Sequence, residues 1–451
     1  MTITLPKNEK HLQSIQPYAT YKPSSISWLK EIPTHWDSRK AQYLFTRMQR
    51  PTRNEDEVIT AFRDGQVTLR RLRREEGYTF AAKEIGYQGV RKDDLVISAM
   101  DAFAGAIGVS DSDGKCSPVY SVCKPASDAL PHFYGYMLQN MARTGFITSL
   151  SKGIRERSTD FRFSEFKVLE LPLPPLLEQR AIVAFLDRET VHLDGLIKRK
   201  ERLLELLEEQ RQAVISQAVT RGLNPDVALK DSGVSWLGPV PEGWRRTALK
   251  HVLAVPISDG PHETPEAVED GVPFVSAEAV KNGRLDFSRR WGNISREMHL
   301  SYSKKTRVQR NDLLMVKSGN TTGNVALVDT DEEFSIWSPL ALIRANQKDL
   351  LSSYAYYALR SSFFQINVSL SASYGTQPNI GMGVLGTLPV PLPPTSEQQA
   401  IAIYLNVENA KLDALGQKLE QSITRLREYR AALITAAVTG QIDVREATNQ
   451  G

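Results

Sequence analysis

The chain is written twice. Leu171-Pro172-Leu173-Pro174-Pro175, followed by Glu178-Gln179, returns as Val390-Pro391-Leu392-Pro393-Pro394, followed by Glu397-Gln398. The copies then stay in step: Pro172 and Pro391, Asp194 and Asp413, and Val219 and Val438 all stand 219 residues apart. Upstream, Ser27-Trp28-Leu29 with Pro33 and Trp36 is echoed 208 residues later by Ser235-Trp236-Leu237 with Pro241 and Trp244. A long internal repeat constrains architecture before any residue is given chemistry. Two similar binding surfaces are expected, held apart by whatever the repeated helices build.

Each Pro-rich segment opens a helical stretch, because proline breaks what precedes it and sets a clean start. From Glu178 to about Thr220 there is no Pro, and the only Gly is Gly195. Helix formers dominate. Leu186, Leu193, Leu207 and Val214 keep a spacing of seven, interrupted by Lys200. A companion series runs through Ile197, Leu204 and Ala218, with Thr190 and Arg211 as exceptions. In the second copy Leu405, Leu412, Leu419, Leu426 and Leu433 follow without a gap, and Leu415 is assigned to the same seam. Seven residues make about two turns, so these side chains share a face. The two seams are expected to pair antiparallel within one chain, the alternative being that each helix packs on its own domain. Roughly 40 helical residues at about 1.5 Å each would span about 60 Å.

At 451 residues the chain is too long for one compact core, so two or more domains are expected. Its 41% hydrophobic and 24% charged residues suit a soluble globular protein. No apolar run is long enough to cross a bilayer. The N-terminus lacks the basic-then-apolar pattern of a secretory signal, and a cytoplasmic location is expected. With Cys116 and Cys123 as the sole cysteines, neither a disulfide framework nor an all-cysteine zinc site is expected. The net charge of +4 does not announce a nucleic-acid binder. Its distribution says more. Arg63, Arg70, Arg71, Arg73 and Arg74 cluster in one segment, as do Lys152, Arg155, Arg157 and Arg162. A third cluster holds Arg289, Arg290, Lys304, Lys305, Arg307 and Arg310. Basic clusters in both halves fit phosphate contact, and each alone also fits a solvated face.

The segments 37–170 and 245–388 share a skeleton. Short apolar runs such as Asp94–Ser98 and Asp312–Ser318 lead into Gly-containing loops, Ala104–Gly108 and Gly319–Asn324. Helical runs follow at His132–Ala142 and Leu351–Phe364, and then polar loops at Ser151–Arg155 and Ser373–Asn379. Most loop residues differ, as they would in one scaffold reading two different targets.

These elements together resemble the specificity subunit of type I restriction–modification enzymes. The likeness covers nearly the whole chain. It rests on the doubled PLPP…EQ helix starts, the lead-ins Ser27-Trp28-Leu29-Lys30 and Ser235-Trp236-Leu237-Gly238, and the two alternating variable segments. Asp259-Gly260-Pro261-His262, continuing to Gly271–Glu278, looks like a familiar form of the family's second recognition domain. Ala61–Arg70 looks like a different subtype. The resemblance implies an α+β fold with a pseudo-two-fold internal repeat. Two similar target recognition domains, each an α/β globule with a β-rich core, would be joined by two long helices in an intramolecular antiparallel coiled coil. The boundaries expected are residues 1–175 for the first recognition domain, 176–222 for the central helix, 223–394 for the second domain, 395–445 for the distal helix and 446–451 for a tail. The implied function is to recognise a bipartite, asymmetric site in double-stranded DNA, with one half-site per domain and a gap set by the paired helices. Two half-sites one turn apart are separated by about 34 Å, within reach of such a spacer. The implied partners are two methyltransferase subunits and the restriction–translocase subunits, with S-adenosylmethionine, ATP and Mg on those partners and no cofactor on this chain.

The residues agree that catalysis is not encoded here. Neither Pro174-Pro175 nor Pro393-Pro394 fits the Asn/Asp-Pro-Pro-aromatic tetrad of an amino-methyltransferase. The only Gly-Lys pair, Gly114-Lys115, precedes Cys116 and makes no phosphate loop. Glu165-x-Lys167 has the form of a nuclease tripeptide but no convincing upstream Asp, and the histidines and cysteines show no compact metal spacing. Base edges are read by Arg or Lys on guanine and Asn or Gln on adenine, from loops on a rigid scaffold. The candidate DNA contacts are therefore Arg63, Gln66, Arg70, Lys152, Arg155 and Arg157 in the first domain. In the second they are His262, Lys317, Asn320, Thr321, Tyr374, Gln377 and Asn379. Each could instead cap a turn. Three other readings stay open at this point: a stand-alone bipartite DNA-binding protein, a fragment of a fused restriction enzyme, and a coiled-coil scaffold.

Overall fold

The computed structural model describes residues 16–73, 85–150, 161–234, 237–374 and 377–446, the side chain of Tyr374 excepted. Arg74, Lys152, Arg155, Arg157, Ser235 and Trp236 lie outside the described residues. The chain divides into two compact units, Met1–Lys200 with Gln421–Gly451, and Glu201–Glu420. Two long helices, Leu176–Arg221 and Thr395–Val438, have residues in both units. Each starts directly after a Pro-Pro pair, where the Glu178 and Glu397 amides donate to the carbonyls of Pro175 and Pro394. Gly222 and Gly440, at φ of +76° and +72°, end the helices in the left-handed conformation that glycine adopts without strain.

The first unit carries a four-stranded antiparallel sheet in the order Phe45–Arg47, Tyr120–Pro125, Leu95–Ser98, Ile107–Val109. In the second unit the order is Ser258–Asp259, Leu340–Ile343, Leu313–Val316, Val325–Leu327, again antiparallel. Strand for strand this is one design. Leu95–Ser98 and Leu313–Val316 are buried at every residue, which explains their unbroken apolar runs. Each follows a tight turn with a left-handed non-glycine, Asp93 at +68° and Asn311 at +69°. The helix expected over His132–Ala142 spans Pro131–Arg143. The one expected over Leu351–Phe364 is two helices, Ser352–Arg360 and Ser362–Ser371, because Ser361 between them is extended. The loop expected over Ala104–Gly108 ends at Ala106, where strand Ile107–Val109 takes up its pairing with Leu95–Ile97.

The doubled PLPP…EQ motif is a brace. Glu170–Leu173 pairs with Asp37–Lys40 in the first unit, as Pro389–Leu392 pairs with Arg245–Ala248 in the second. Buried Glu178 accepts the Trp36 indole N–H at 2.8 Å, and Glu397 accepts that of Trp244 at 2.9 Å. The fully buried Gln179 and Gln398 tie each helix start to its globule. Each accepts the backbone N–H that precedes a globule helix, at Leu130 and Leu351. Each also donates to two carbonyls, those of Asp128 and Pro174 or of Asp349 and Pro393. A buried amide so fully satisfied specifies one geometry.

Within each unit the two helix segments run antiparallel against one another. Leu186 and Leu193 share the first unit's core with Leu433 and Val438; Ile215 and Val219 share the second's with Ile401 and Leu405. Arg430 donates to Asp194 at 3.1 Å in the first unit, and Arg211 to Asp413 at 2.6 Å in the second. Arg211 and Arg430 are repeat equivalents, as are the two aspartates. Burial along the seam is graded. Leu186, Leu193, Ile197, Leu405 and Leu433 are buried, whereas Leu204, Leu207, Val214, Leu412, Leu419 and Leu426 are half-buried. Leu415 does not join them. It is 47% exposed, because three residues past Leu412 it falls on the outer flank of the stripe.

Cys116 and Cys123 are buried free thiols, and burial pushes both up to about 12. With almost no thiolate at neutral pH they should resist a thiol-specific reagent in the folded chain and react on denaturation. Titration with a chromogenic disulfide before and after urea checks this; stoichiometric reaction of the native chain would refute it.

Candidate nucleic-acid interface

In the first unit, strands Ile59–Ala61 and Val67–Leu69 form an antiparallel hairpin. Its turn is closed by the Phe62 amide, which donates to the Gln66 carbonyl at 2.8 Å. Gly65 sits in the turn at φ of +90°. Arg63 and Gln66 are exposed on this tip. Arg70, at the other end of the hairpin, is half-buried and donates from Nε to Thr60 Oγ1 at 3.1 Å. Arg63 reaches Asp101 at 2.9 Å, and Arg73 lies over the Phe62 ring while bonding Asp64. Exposed pairs of this kind contribute little to stability, so an incoming phosphate can displace them at small cost.

In the second unit, loop Ser318–Gly323 and the small hairpin of Ser373–Tyr374 and Pro378–Asn379 are bonded into one platform. The Gly319 amide donates to the Pro378 carbonyl at 3.0 Å, and the Ile380 amide to that of Lys317 at 2.8 Å. The Thr322 hydroxyl donates to the carbonyls of Gly319 and Pro378. Gly319 and Gly323, at +110° and +100°, permit the reversals. Asn320, Thr321, Gln377 and Asn379 are all exposed on this platform, and Tyr374 lies in its first strand. Asn and Gln here are of the type that reads adenine edges.

Lys317 and His262 belong to a different constellation, centred on Asp259. That carboxylate is buried. Lys305 Nζ lies 2.6 Å from it, His262 Nε2 3.2 Å and Lys317 Nζ 3.3 Å. Burial pushes the Asp259 carboxyl upward, but the hydrogen bonds and charges of Lys305 and Lys317 outweigh this and hold it below the usual carboxylate range. Gly260 makes the burial possible, since a Cβ there would stand 1.8 Å from the Ile336 carbonyl oxygen. The Pro261 carbonyl accepts the Ser338 amide, and the chain turns so that His262 comes back over Asp259. Of this constellation the sequence marks His262 and Lys317 as candidate contacts, Lys305 only as a member of the third basic cluster, and Asp259 only as the first residue of the Asp259–His262 motif. An acid directly before a glycine, in a run that ends in histidine, was the available signal.

The structure thus gathers Arg63 and Gln66 on one turn, Asn320, Thr321, Gln377 and Asn379 on one platform, and His262 and Lys317 on one carboxylate. Among the described residues no group of three or more His, Cys, Asp or Glu could hold a metal ion, and no helix is long and apolar enough to cross a membrane.

The family model described as "Type I restriction modification DNA specificity domain" matches residues 241–425. The type I restriction enzyme EcoKI specificity subunit of Escherichia coli (strain K12) is 21% identical over 443 residues, covering 91% of this chain and 90% of that one. The EcoBI specificity subunit of Escherichia coli is 25% identical over 278 residues, 60% of this chain and 58% of that one. In fold, the chain resembles one solved in work on complex assembly and conformational transition of the type I R-M system. The TM-score is 0.67 at 18% identity, with 90% of this chain and 98% of that one covered. The specificity-domain match over residues 241–425, the relatives aligned along nearly the full length and the doubled globule-and-helix fold converge on one likeness: the chain is similar to the DNA specificity subunits of type I restriction–modification systems.

Proposed function

We propose that this chain reads a bipartite, asymmetric DNA site. Residues 1–175 read one half-site and residues 223–394 the other, while the paired helices set the unread gap. The observation that carries this reading is the recurrence of one four-stranded sheet in both units under different loops: an arginine-tipped hairpin in the first, an Asn/Gln platform in the second. A common scaffold with dissimilar readers suits two different half-sites. The target choice is passed in the cytoplasm to two methyltransferase subunits and to restriction–translocase subunits, which would carry S-adenosylmethionine, ATP and Mg.

Mapping methylated adenines genome-wide, with and without the gene, tests this. Loss of one split motif, two short blocks around a fixed gap, is the expected result. Loss of a continuous motif, or of none in a strain whose methyltransferase is expressed, would remove the two-reader model. Recovery of the chain bound to a split site with no methyltransferase attached would favour a stand-alone DNA-binding protein instead.

A further inference from the structure

We propose that Asp259 is a positioning residue for DNA contact. Its buried carboxylate holds Lys305 and His262 at the surface as an anchor for one backbone phosphate, with Lys317 adding charge from beneath. The proposal rests on the reading of residues 223–394 as a DNA-binding domain.

The argument begins with charge. One carboxylate faces two ammonium groups, so the cluster is cationic before His262 is counted. The excess faces outward. The side chain of Lys305 is 58% exposed and that of His262 71%, whereas those of Lys317 and Asp259 are 12% and 2% exposed. A cleft of about 110 Å³, lined by Asp259, Gly260, Pro261, Ser301, Tyr302 and Lys305 among others, opens beside the cluster. The positions are also fixed. The Thr306 hydroxyl donates to the Asp259 carbonyl at 2.8 Å, and Gly260 is wedged against Ile336. A lysine held on a buried carboxylate gives up less freedom on binding than a free surface lysine. An ammonium is a point charge without the planar fork of arginine, and two of them held on one carboxylate beside an imidazole suit a phosphate oxygen better than a base edge. Register would then come from the Asp259 cluster, and base choice from the neighbouring Asn/Gln platform.

The sign of one substitution separates this from simple electrostatics. A carboxylate near a polyanion repels it, so Asp259→Asn should tighten DNA binding if Asp259 acts only through its charge. If Asp259 positions the lysines, the same change weakens binding. The measurement is affinity against salt concentration, for the chain in its methyltransferase complex and a duplex carrying its methylated motif. Lys305→Ala is expected to lower affinity by about tenfold at 0.15 M salt and to reduce the slope of log K against log salt by about 0.9, the contribution of one phosphate contact. Asp259→Asn is expected to weaken binding by a similar factor, and the methylated motif should stay the same in both variants. Because Lys305 is exposed, its variant reads out binding even if Asp259→Asn folds poorly. Tighter binding by Asp259→Asn, or an unchanged affinity and slope in Lys305→Ala, overturns the proposal. Crosslinking of the wild-type complex keeps the two failures apart. DNA that crosslinks to residues 223–394 while both variants behave as wild type removes only the anchor, whereas no crosslink there removes the reading on which it rests.

Discussion

Replacing Trp36 with alanine should lower the melting temperature of the free chain by roughly 10 °C, the largest effect expected of any single truncation in the first unit. The indole is fully buried and meets Tyr18 and Phe133 edge to face. Truncating a buried tryptophan costs about 3–5 kcal/mol in lost contacts and residual cavity. The Glu178 carboxylate then loses one of its three donors, Trp36 Nε1, and keeps the Tyr18 hydroxyl and His35 Nε2. Glu178 is itself only 5% exposed, so water does not readily replace the missing donor. Against a total stability of about 5–15 kcal/mol, this is a large fraction. Trp36→Phe separates the two contributions, since it keeps a ring and removes the N–H; a loss of about 1–2 kcal/mol is expected. Scanning calorimetry of the three proteins decides the matter. A Trp36→Ala transition that coincides with the wild type would mean that the brace at the start of the central helix is not structural.

Arg344→Ala should cost the second unit about 3–5 kcal/mol, because it leaves a buried carboxylate without its cation. Arg344 donates from Nε and Nη2 to the two oxygens of Asp312, each at 2.7 Å, and again from Nη2 to the Arg307 carbonyl. The Asp312 side chain is 2% exposed. The pair raises the Arg344 guanidinium, chiefly through the hydrogen bond to Asp312, so it stays charged under all ordinary conditions. Asp312 also accepts the Gln309 amide at the turn that launches the central strand, so its loss would loosen the strand start as well. Arg50 and Asp94 form the same pair in the first unit, where the Arg91 amide takes the place of Gln309. Urea denaturation should show the loss. The double change Arg344→Met with Asp312→Leu should recover part of it, because apolar replacement of a buried pair is often neutral, while the Gln309 amide still loses its acceptor. Equal destabilisation by the single and double variants would mean that the pair is irreplaceable for packing rather than for charge.

Legibility in the sequence follows the range of the forces involved. The repeat, the start of each long helix after Pro175 and Pro394, and the leucine series were all readable, since proline geometry and sevenfold spacing act within two turns of chain. The short apolar strands were readable for the same reason. The shared order of the two sheets was not, because it depends on pairings between segments far apart in sequence. Leu415 was misplaced because proximity to a sevenfold series does not say where a helix turns from partner to solvent. Arg211 looked like a break in the companion series, yet it reaches Asn409 and Asp413 across the helix pair.

The candidate site divides in the same way. Composition marks Arg, Lys, Asn and Gln on loops as suited to DNA, and local turn chemistry puts Arg63 and Gln66 on one tip. It does not say that Asn320 and Gln377, 57 residues apart, stand on one platform, or that His262, Lys305 and Lys317 converge on Asp259. By itself the sequence determined the doubling, the two long helices, the kind of side chain offered to a ligand and the family resemblance, all of which are local patterns or their repetition. Tertiary structure alone decided which acid each cation meets and which of those cations faces solvent. A charge is recognisable in one residue, whereas its partner and its burial are properties of the packed chain.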